Sequence, residues 1–198
     1  MMIDTKIRPK IQACFDKIAH RIAPYPITPN HLTIIAFLTG IMAAIFIWQN
    51  HVTLAIVMLW ISGFLDVLDG SLARVKKQSS PYGAFMDLIF DRLVESIFIL
   101  AFALWYDKGH WVFYMFYIGV IFNFSTFMAT GALIPNLGNK SMYYDFGLVE
   151  RTETFLTFTL MTLFPSVALY VLMIFNVLMF LTGIMRFYRI YQITRREG

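Results

Sequence analysis

Four aspartates stand in one polar stretch of an otherwise apolar chain. Asp66 and Asp69 are three positions apart, and Asp87 and Asp91 are four positions apart. At these spacings the members of each pair share one face of a helix. Placing an ionised carboxylate at a membrane boundary costs free energy, so these aspartates are predicted to be functional residues. Carboxylate oxygens favour hard cations, so this stretch predicts a site for Mg²⁺ or Mn²⁺.

Small residues and one arginine interleave with the aspartates. Gly70, Ala73 and Gly83 would let a ligand approach the backbone closely. Arg74 offers a planar guanidinium that matches phosphate oxygens. These residue types together indicate a phosphotransfer site in which two cations stabilise the attacking and leaving oxygens. One carboxylate would be left as a general base.

The spacing of these residues forms a known pattern. From Asp66 to Asp91 the chain reads Asp-x2-Asp-Gly-x2-Ala-Arg-x8-Gly-x3-Asp-x3-Asp. This pattern resembles the signature of the CDP-alcohol phosphatidyltransferases, with every position filled. The resemblance extends to Pro29-Asn30-x2-Thr33, at the start of the first long apolar run. It implies an enzyme of phospholipid biosynthesis that transfers a phosphatidyl group from CDP-diacylglycerol, or a related CDP-lipid, to an alcohol hydroxyl and releases CMP.

The resemblance also implies roles for individual residues. Asp66, Asp69 and Asp87 would bind the metal, and Asp91 would both complete the metal site and take the proton of the acceptor hydroxyl. The residues implied for the nucleotide pocket are Asn30, Thr33, Gly70, Ala73, Arg74 and Gly83. For Thr33, a hydrogen bond to its own helix backbone is the alternative to ligand contact. Similar family members are often homodimers, so we expect a homodimer, and we expect no nucleic-acid partner.

Composition predicts a membrane protein. Of the 198 residues, 59% are hydrophobic and 14% are charged, whereas soluble domains are about half apolar and about a quarter charged. The chain is therefore predicted to be an all-α integral membrane protein, a bundle of six transmembrane helices with an N-terminal amphipathic interfacial helix. Residues 1–29 would form the interfacial helix and a linker, and residues 30–198 the transferase domain. The predicted spans are about 30–48, 52–75, 82–106, 111–134, 150–165 and 167–193.

The N-terminal segment has an apolar stripe beside a basic face over residues 3–22. Pro9 suits a first helical turn, so the helix is expected to begin near it. This pattern indicates a helix lying in the interface of an anionic membrane. An amphipathic helix packed on the protein itself is an equally good interpretation.

Six spans would place both termini on one side of the membrane. The basic residues predicted on that side are Lys6, Arg8, Lys10, Lys17, Arg21, Arg74, Lys76, Lys77, Lys140, Arg151, Arg186, Arg189, Arg195 and Arg196. Lys108 alone falls on the other side, and Arg92 lies just inside a span. By the positive-inside rule, the termini and the aspartate site face the cytoplasm across the inner membrane.

The acceptor alcohol is not encoded in the signature. A phosphorylated acceptor, such as inositol phosphate or glycerol 3-phosphate, would need further cations, for which Lys140, Arg151 and Arg186 are candidates. Each of these is also explained by the positive-inside rule, which leaves serine or free inositol as alternatives. A divalent cation carrier is the alternative from another class, and it would spread acids along a path across the bilayer. Glu95 is the one acid that could extend such a path.

Overall fold

The computed structural model describes residues 4–133, 147 and 151–197. Every regular element in these residues is helical. The helices are α1 (Asp4–Ile22), α2 (Pro29–Trp48), α3 (Val52–Val75), α4 (Pro81–Tyr106), α5 (His110–Leu133), α6 (Arg151–Leu163) and α7 (Ala168–Glu197), with a 3-10 turn at Pro165–Val167 before α7. The chain divides into two compact units between Lys108 and Gly109. All four aspartates of the signature therefore lie in the first unit, which holds α1 to α4.

Four segments among the described residues are long and apolar enough to cross a membrane. They are Pro29–Trp48, Val52–Val75, His110–Leu133 and Pro165–Ile193. Helix α4 has 26 residues, but charged side chains interrupt its apolar character. Helix α6 has 13 described residues, about 20 Å of helix, which is shorter than the hydrocarbon core of a bilayer. The chain is a membrane protein that is all-helical over its described residues, and the count of six spans stays a prediction.

The polar ends of α2 and α4 are set by local capping. Thr28 precedes Pro29 and accepts a hydrogen bond at its hydroxyl from the His31 backbone N–H, at 3.3 Å. Ser80 precedes Pro81, and its hydroxyl accepts from the Gly83 N–H at 3.0 Å. A hydroxyl N-cap followed by proline satisfies backbone donors that a helix leaves unpaired at its start. Both helices therefore begin where the sequence predicted, close to the signature residues.

Helix α2 packs closely against α3 and α4. A Cβ at Gly40 would lie 2.6 Å and 2.7 Å from the two methyl groups of Val94 and 3.1 Å from the Ser62 hydroxyl. That hydroxyl donates to the Ala36 carbonyl of α2 at 2.7 Å. Small residues at such crossings let membrane helices approach closely. This packing brings the end of α3 and the start of α4 beside the start of α2.

Helix α1 packs on α3 through its apolar stripe. Ala19 is fully buried in a cluster with Leu68 and Leu72, and Phe15 and Ile18 pack against this cluster. The stripe that the sequence showed is thus used, at least in part, for contact with the protein itself. Whether α1 also lies in the membrane interface stays a prediction.

The start of α1 differs from the expectation. The helix begins at Asp4 rather than near Pro9. Proline lacks the N–H that would bond the carbonyl four residues earlier. So close to the helix start, this removes a single hydrogen bond and the helix continues through it.

The second unit is built around α7, which packs against α5 and α6. A Cβ at Gly119 of α5 would lie 2.5 Å from the terminal methyl of Met179. Asn176 of α7 donates its side-chain N–H to the Val112 carbonyl of α5 at 2.9 Å. Small residues and interhelical hydrogen bonds are the usual means by which membrane helices associate.

Candidate metal and nucleotide site

Three of the four aspartates converge at one end of the first unit. Asp66 and Asp69 stand on the last turns of α3, and Asp87 stands on the second turn of α4. Their carboxylate oxygens lie within 4.8 Å of one another. Oxygens on opposite sides of an octahedral Mg²⁺ are about 4.2 Å apart. The spacing of the three carboxylates is close to this span, so small side-chain movements would let them share a divalent cation, which their hard oxygen donors favour.

Asp91 follows Asp87 by one helical turn on α4 and is partly buried. It lies outside the group of three carboxylates that converge within 4.8 Å. The structure thus separates one aspartate from the other three. The two roles that the family resemblance implies for Asp91, in the metal site and as the base, stay predictions.

Thr33 of α2 contacts the group of aspartates directly. Its hydroxyl donates to Oδ2 of Asp69, and it also lies 3.2 Å from the Pro29 carbonyl of its own helix. Both Thr33 and Asp69 are buried. A hydrogen bond to a carboxylate is roughly twice as strong as one between neutral groups. Thr33 therefore orients Asp69. It also lies within hydrogen-bond distance of its own helix backbone, which the sequence had left open as the alternative to ligand contact.

Asn30 meets Gly83 where α2 and α4 begin. A Cβ at Gly83 would lie 3.2 Å from Oδ1 of Asn30 and 3.2 Å from the Ser80 hydroxyl. Glycine thus leaves room for the two helix ends to approach. Ala73, one turn after Asp69 on α3, is partly buried.

Arg74 folds back along α3. Its Nη1 lies 3.7 Å from the Cβ position of Gly70, while Nη2 donates to the Ser71 hydroxyl at 3.0 Å. Nη2 also lies 3.6 Å from Oδ1 of Asp16 on α1. The Gln12 amide of α1 donates to Asp16 at 2.9 Å and to Ser71 at 3.1 Å. Ser71 and Asp16 thus contact Arg74, and Gln12 contacts both of them. These three residues were not predicted from the sequence, where the one available signal was the four-residue spacing of Gln12 and Asp16 on the polar face of α1.

Glu95 lies deeper on α4 and is 3% exposed. Its Oε2 accepts from Nη1 of Arg92 at 2.8 Å. The one acid that could have extended an ion path is therefore paired with a cation.

The candidate acceptor residues lie in the second unit or outside the described residues. Arg151 opens α6, with its guanidinium carbon 5.5 Å from the ring centre of Phe155. Arg186 of α7 is 7% exposed and donates from Nη1 to the carbonyl of Asn123 at 2.8 Å and to its side-chain oxygen. Its guanidinium carbon also lies 5.3 Å from the ring centre of Phe127. Arg186 thus joins α7 to α5, a structural role that was not predicted from the sequence. Lys140 lies outside the described residues.

A family model for CDP-alcohol phosphatidyltransferases matches residues 26–188 of the chain. The chain belongs to this family. The phosphatidyltransferase is 32% identical over 174 residues to the inner membrane protein YnjF of Escherichia coli, with 83% of this chain and 84% of that protein covered. It is 39% identical over 100 residues to archaetidylinositol phosphate synthase of Pyrococcus horikoshii, a match that covers 50% of this chain and 53% of that protein.

Solved structures share the fold of this phosphatidyltransferase. The crystal structure of phosphatidylinositol phosphate synthase from Mycobacterium tuberculosis with CDP-DAG bound superposes with a TM-score of 0.70, at 17% identity, over 88% of this chain and 92% of that chain. A structure of the same synthase with manganese and citrate gives a TM-score of 0.70 at 17% identity, over 89% of this chain and 88% of that one. This likeness extends over most of both chains and shows that they share one fold.

Proposed function

We propose that this enzyme transfers a phosphatidyl group from CDP-diacylglycerol to a hydroxyl of inositol phosphate and releases CMP. The observation that carries the proposal is the convergence of three aspartates of the family signature, two of which stand on the same helix as Arg74. The acceptor is supported by the names of relatives, which include archaetidylinositol phosphate synthases and a phosphatidylinositol phosphate synthase.

Asp66, Asp69 and Asp87 would hold the divalent cation, Mg²⁺ or Mn²⁺, with Asp91 completing a site for two ions. Bound cations would neutralise charge on the diphosphate and on the attacking and leaving oxygens. The support for this assignment is the 4.8 Å spacing of three carboxylates. Thr33 supports it further, because it fixes the orientation of Asp69 through a hydrogen bond.

The protein's own residues would act as follows. The Arg74 guanidinium binds diphosphate oxygens of the donor. Asp91 accepts the proton of the acceptor hydroxyl. The hydroxyl oxygen then forms a bond to the phosphorus that carries the lipid, and the bond from that phosphorus to the CMP oxygen breaks. The negative charge leaves with CMP.

Arg151 is the residue that we assign to the phosphate of the acceptor. It stands at the first turn of α6, where backbone N–H groups and the helix dipole favour an anion. Arg186 is a second candidate, although its contacts with Asn123 and Phe127 also hold α7 against α5. Lys140 stays a candidate on the sequence alone. A cation carrier is disfavoured because Glu95 is paired with Arg92 and the converging aspartates sit at one level rather than along a path.

The test is an acceptor screen with purified protein in lipid vesicles. CDP-diacylglycerol and a divalent cation are supplied with inositol phosphate, glycerol 3-phosphate, serine or free inositol, and CMP and the new lipid are measured. We expect CMP release to depend on inositol phosphate and on Mg²⁺ or Mn²⁺, and to stop with a chelator. Preferred use of serine or free inositol would show that the acceptor is wrong. No CMP release with any acceptor would refute the reaction itself.

We also propose that the site faces the cytoplasm, in a six-span homodimer of the inner membrane. The one-sided distribution of basic residues in the sequence supports the orientation, and the family resemblance supports the dimer. Reporter fusions at the two termini would contradict this topology if they found the termini on opposite sides. A single copy per detergent micelle in a mass measurement would contradict the dimer.

A further inference from the structure

Helix α1 lies outside residues 26–188, the part of the chain that the family model covers. It nevertheless contacts a residue of the signature. Gln12 and Asp16, one turn apart on α1, form a connected polar cluster with Ser71 and Arg74 on α3. Each member of this cluster contacts at least two others. A helix outside the signature thus reaches the arginine that binds phosphate in the proposed reaction.

The cluster holds one edge of the guanidinium. Nη2 of Arg74 is held by the Ser71 hydroxyl at 3.0 Å and by Asp16 at 3.6 Å. Nη1 lies over Gly70, 3.7 Å from its Cβ position. Residues 66, 70 and 74 follow one another at four-residue spacing and so share one face of α3. Because Nη2 is held by Ser71 and Asp16, Nη1 lies on the face of α3 that also carries Asp66.

Helix α1 is itself held in place. Ala19 is fully buried against α3. Beyond the helix, Lys76 donates from Nζ to the carbonyls of Tyr25 and Ile27 at 2.8 Å and 2.7 Å, which fixes the linker to the end of α3. Asp16 is thus presented to Arg74 from a packed element.

The Asp16–Arg74 pair is a poor candidate for a stabilising contact. The two side chains are 38% and 55% exposed at a separation of 3.6 Å, and exposed pairs of this kind contribute little to stability. The carboxyl is nevertheless kept ionised. The hydrogen bond from Gln12 lowers the pKa of Asp16, desolvation opposes this, and Ser71 and Arg74 lower the pKa further. The contribution of this ion pair is therefore to orient the long, flexible side chain of Arg74.

We propose that Asp16, supported by Gln12 and Ser71, is a positioning residue that holds the Arg74 guanidinium ready for the diphosphate of the nucleotide donor. Helix α1 is thereby part of the donor site. This inference rests on the proposed function, in which Arg74 binds the donor. Its physical basis is pre-organisation: a side chain that is already oriented loses less conformational entropy when the ligand binds.

The test compares three variants in vesicles with CDP-diacylglycerol and inositol phosphate. Asp16→Asn removes the charge at constant shape, Asp16→Glu keeps it, and Asp107→Asn is the matched control. Asp107 is exposed at the far end of α4 with φ 48°, a conformation that asparagine tolerates. We expect Asp16→Asn to raise the donor KM about 2- to 5-fold, the range for an exposed ion pair, with kcat and acceptor KM unchanged. Asp16→Glu and the control should keep the wild-type donor KM.

Coupling to Arg74 distinguishes positioning from a general structural role. In an Arg74→Lys background, Asp16→Asn should raise the donor KM no further. Ser71→Ala should raise it in the same direction as Asp16→Asn, which keeps the test valid if either variant folds poorly. An unchanged or lowered donor KM in Asp16→Asn, or an equal rise in the Arg74→Lys background, would overturn the inference. Failure of the wild type to use CDP-diacylglycerol would instead overturn the proposed function.

Discussion

The hydrogen bond between Thr33 and Asp69 gives the sharpest test of the metal site. Thr33→Val replaces the hydroxyl with a methyl group of similar size at a position that is 5% exposed. The change removes the donor to Oδ2 of Asp69 and leaves the packing of α2 nearly intact. Asp69 would then keep its charge but lose the contact that fixes its orientation.

The expected magnitude follows from the type of bond. A hydrogen bond to a charged group contributes about 1.5–3 kcal/mol. At about 1.4 kcal/mol for each factor of ten, its loss weakens binding by roughly 10- to 150-fold. Residues that orient a metal ligand usually contribute about 10- to 100-fold to metal affinity. We therefore expect the metal concentration for half-maximal activity to rise by about one to two orders of magnitude.

The assay is a titration of CMP release against Mg²⁺ and against Mn²⁺ at saturating substrates. Thr33→Ser keeps the hydroxyl and should resemble the wild type. Thr39→Val is the matched control, because Thr39 lies on the same helix and donates to its own backbone, at the carbonyls of Ile35 and Ala36. Excess metal should restore most of the turnover of Thr33→Val, since the ligand itself remains.

Two results would refute this reasoning. If Thr33→Val titrates with metal as the wild type does, then Asp69 does not need the bond to bind the cation. If Thr39→Val shifts the titration as far as Thr33→Val, then the effect comes from the helix and not from Asp69.

Three further predictions concern roles and packing. Asp91→Asn should retain much of the donor binding and lose turnover, whereas Asp66→Asn should impair both, because a ligand of the metal that holds the diphosphate is lost. Equal loss of donor affinity in the two variants would contradict separate roles. Arg151→Ala should raise the KM for inositol phosphate by roughly 10- to 150-fold, as expected when a charge-assisted hydrogen bond is lost, and should leave the donor KM unchanged. An unchanged acceptor KM would show that Arg151 does not contact the phosphate. Gly40→Ala should lower the melting temperature in detergent, because its Cβ would lie 2.6 Å from a methyl group of Val94. Adding Val94→Ala should recover part of the lost stability. A double variant no more stable than Gly40→Ala would argue against this contact.

The sequence by itself determined the helices and the composition of the site. Apolar runs predicted helix starts near residues 30 and 82, and α2 and α4 begin at Pro29 and Pro81. The agreement is close because the hydroxyl caps and prolines that start these helices act within a few residues. The signature predicted which residue types meet, because its two halves lie at the adjoining ends of consecutive helices.

Tertiary structure decided which side chains orient which. The bonds of Thr33 to Asp69, of Gln12 to Ser71 and of Arg186 to Asn123 join different helices. Their formation depends on how far each helix is rotated and how closely it approaches its neighbour. Contacts such as that of Gly40 with Val94 set the approach, and they are a property of two packed surfaces rather than of either segment. For this reason the aspartates and the arginine could be predicted from the sequence, whereas the residues that hold them in place could be identified only from the packed helices.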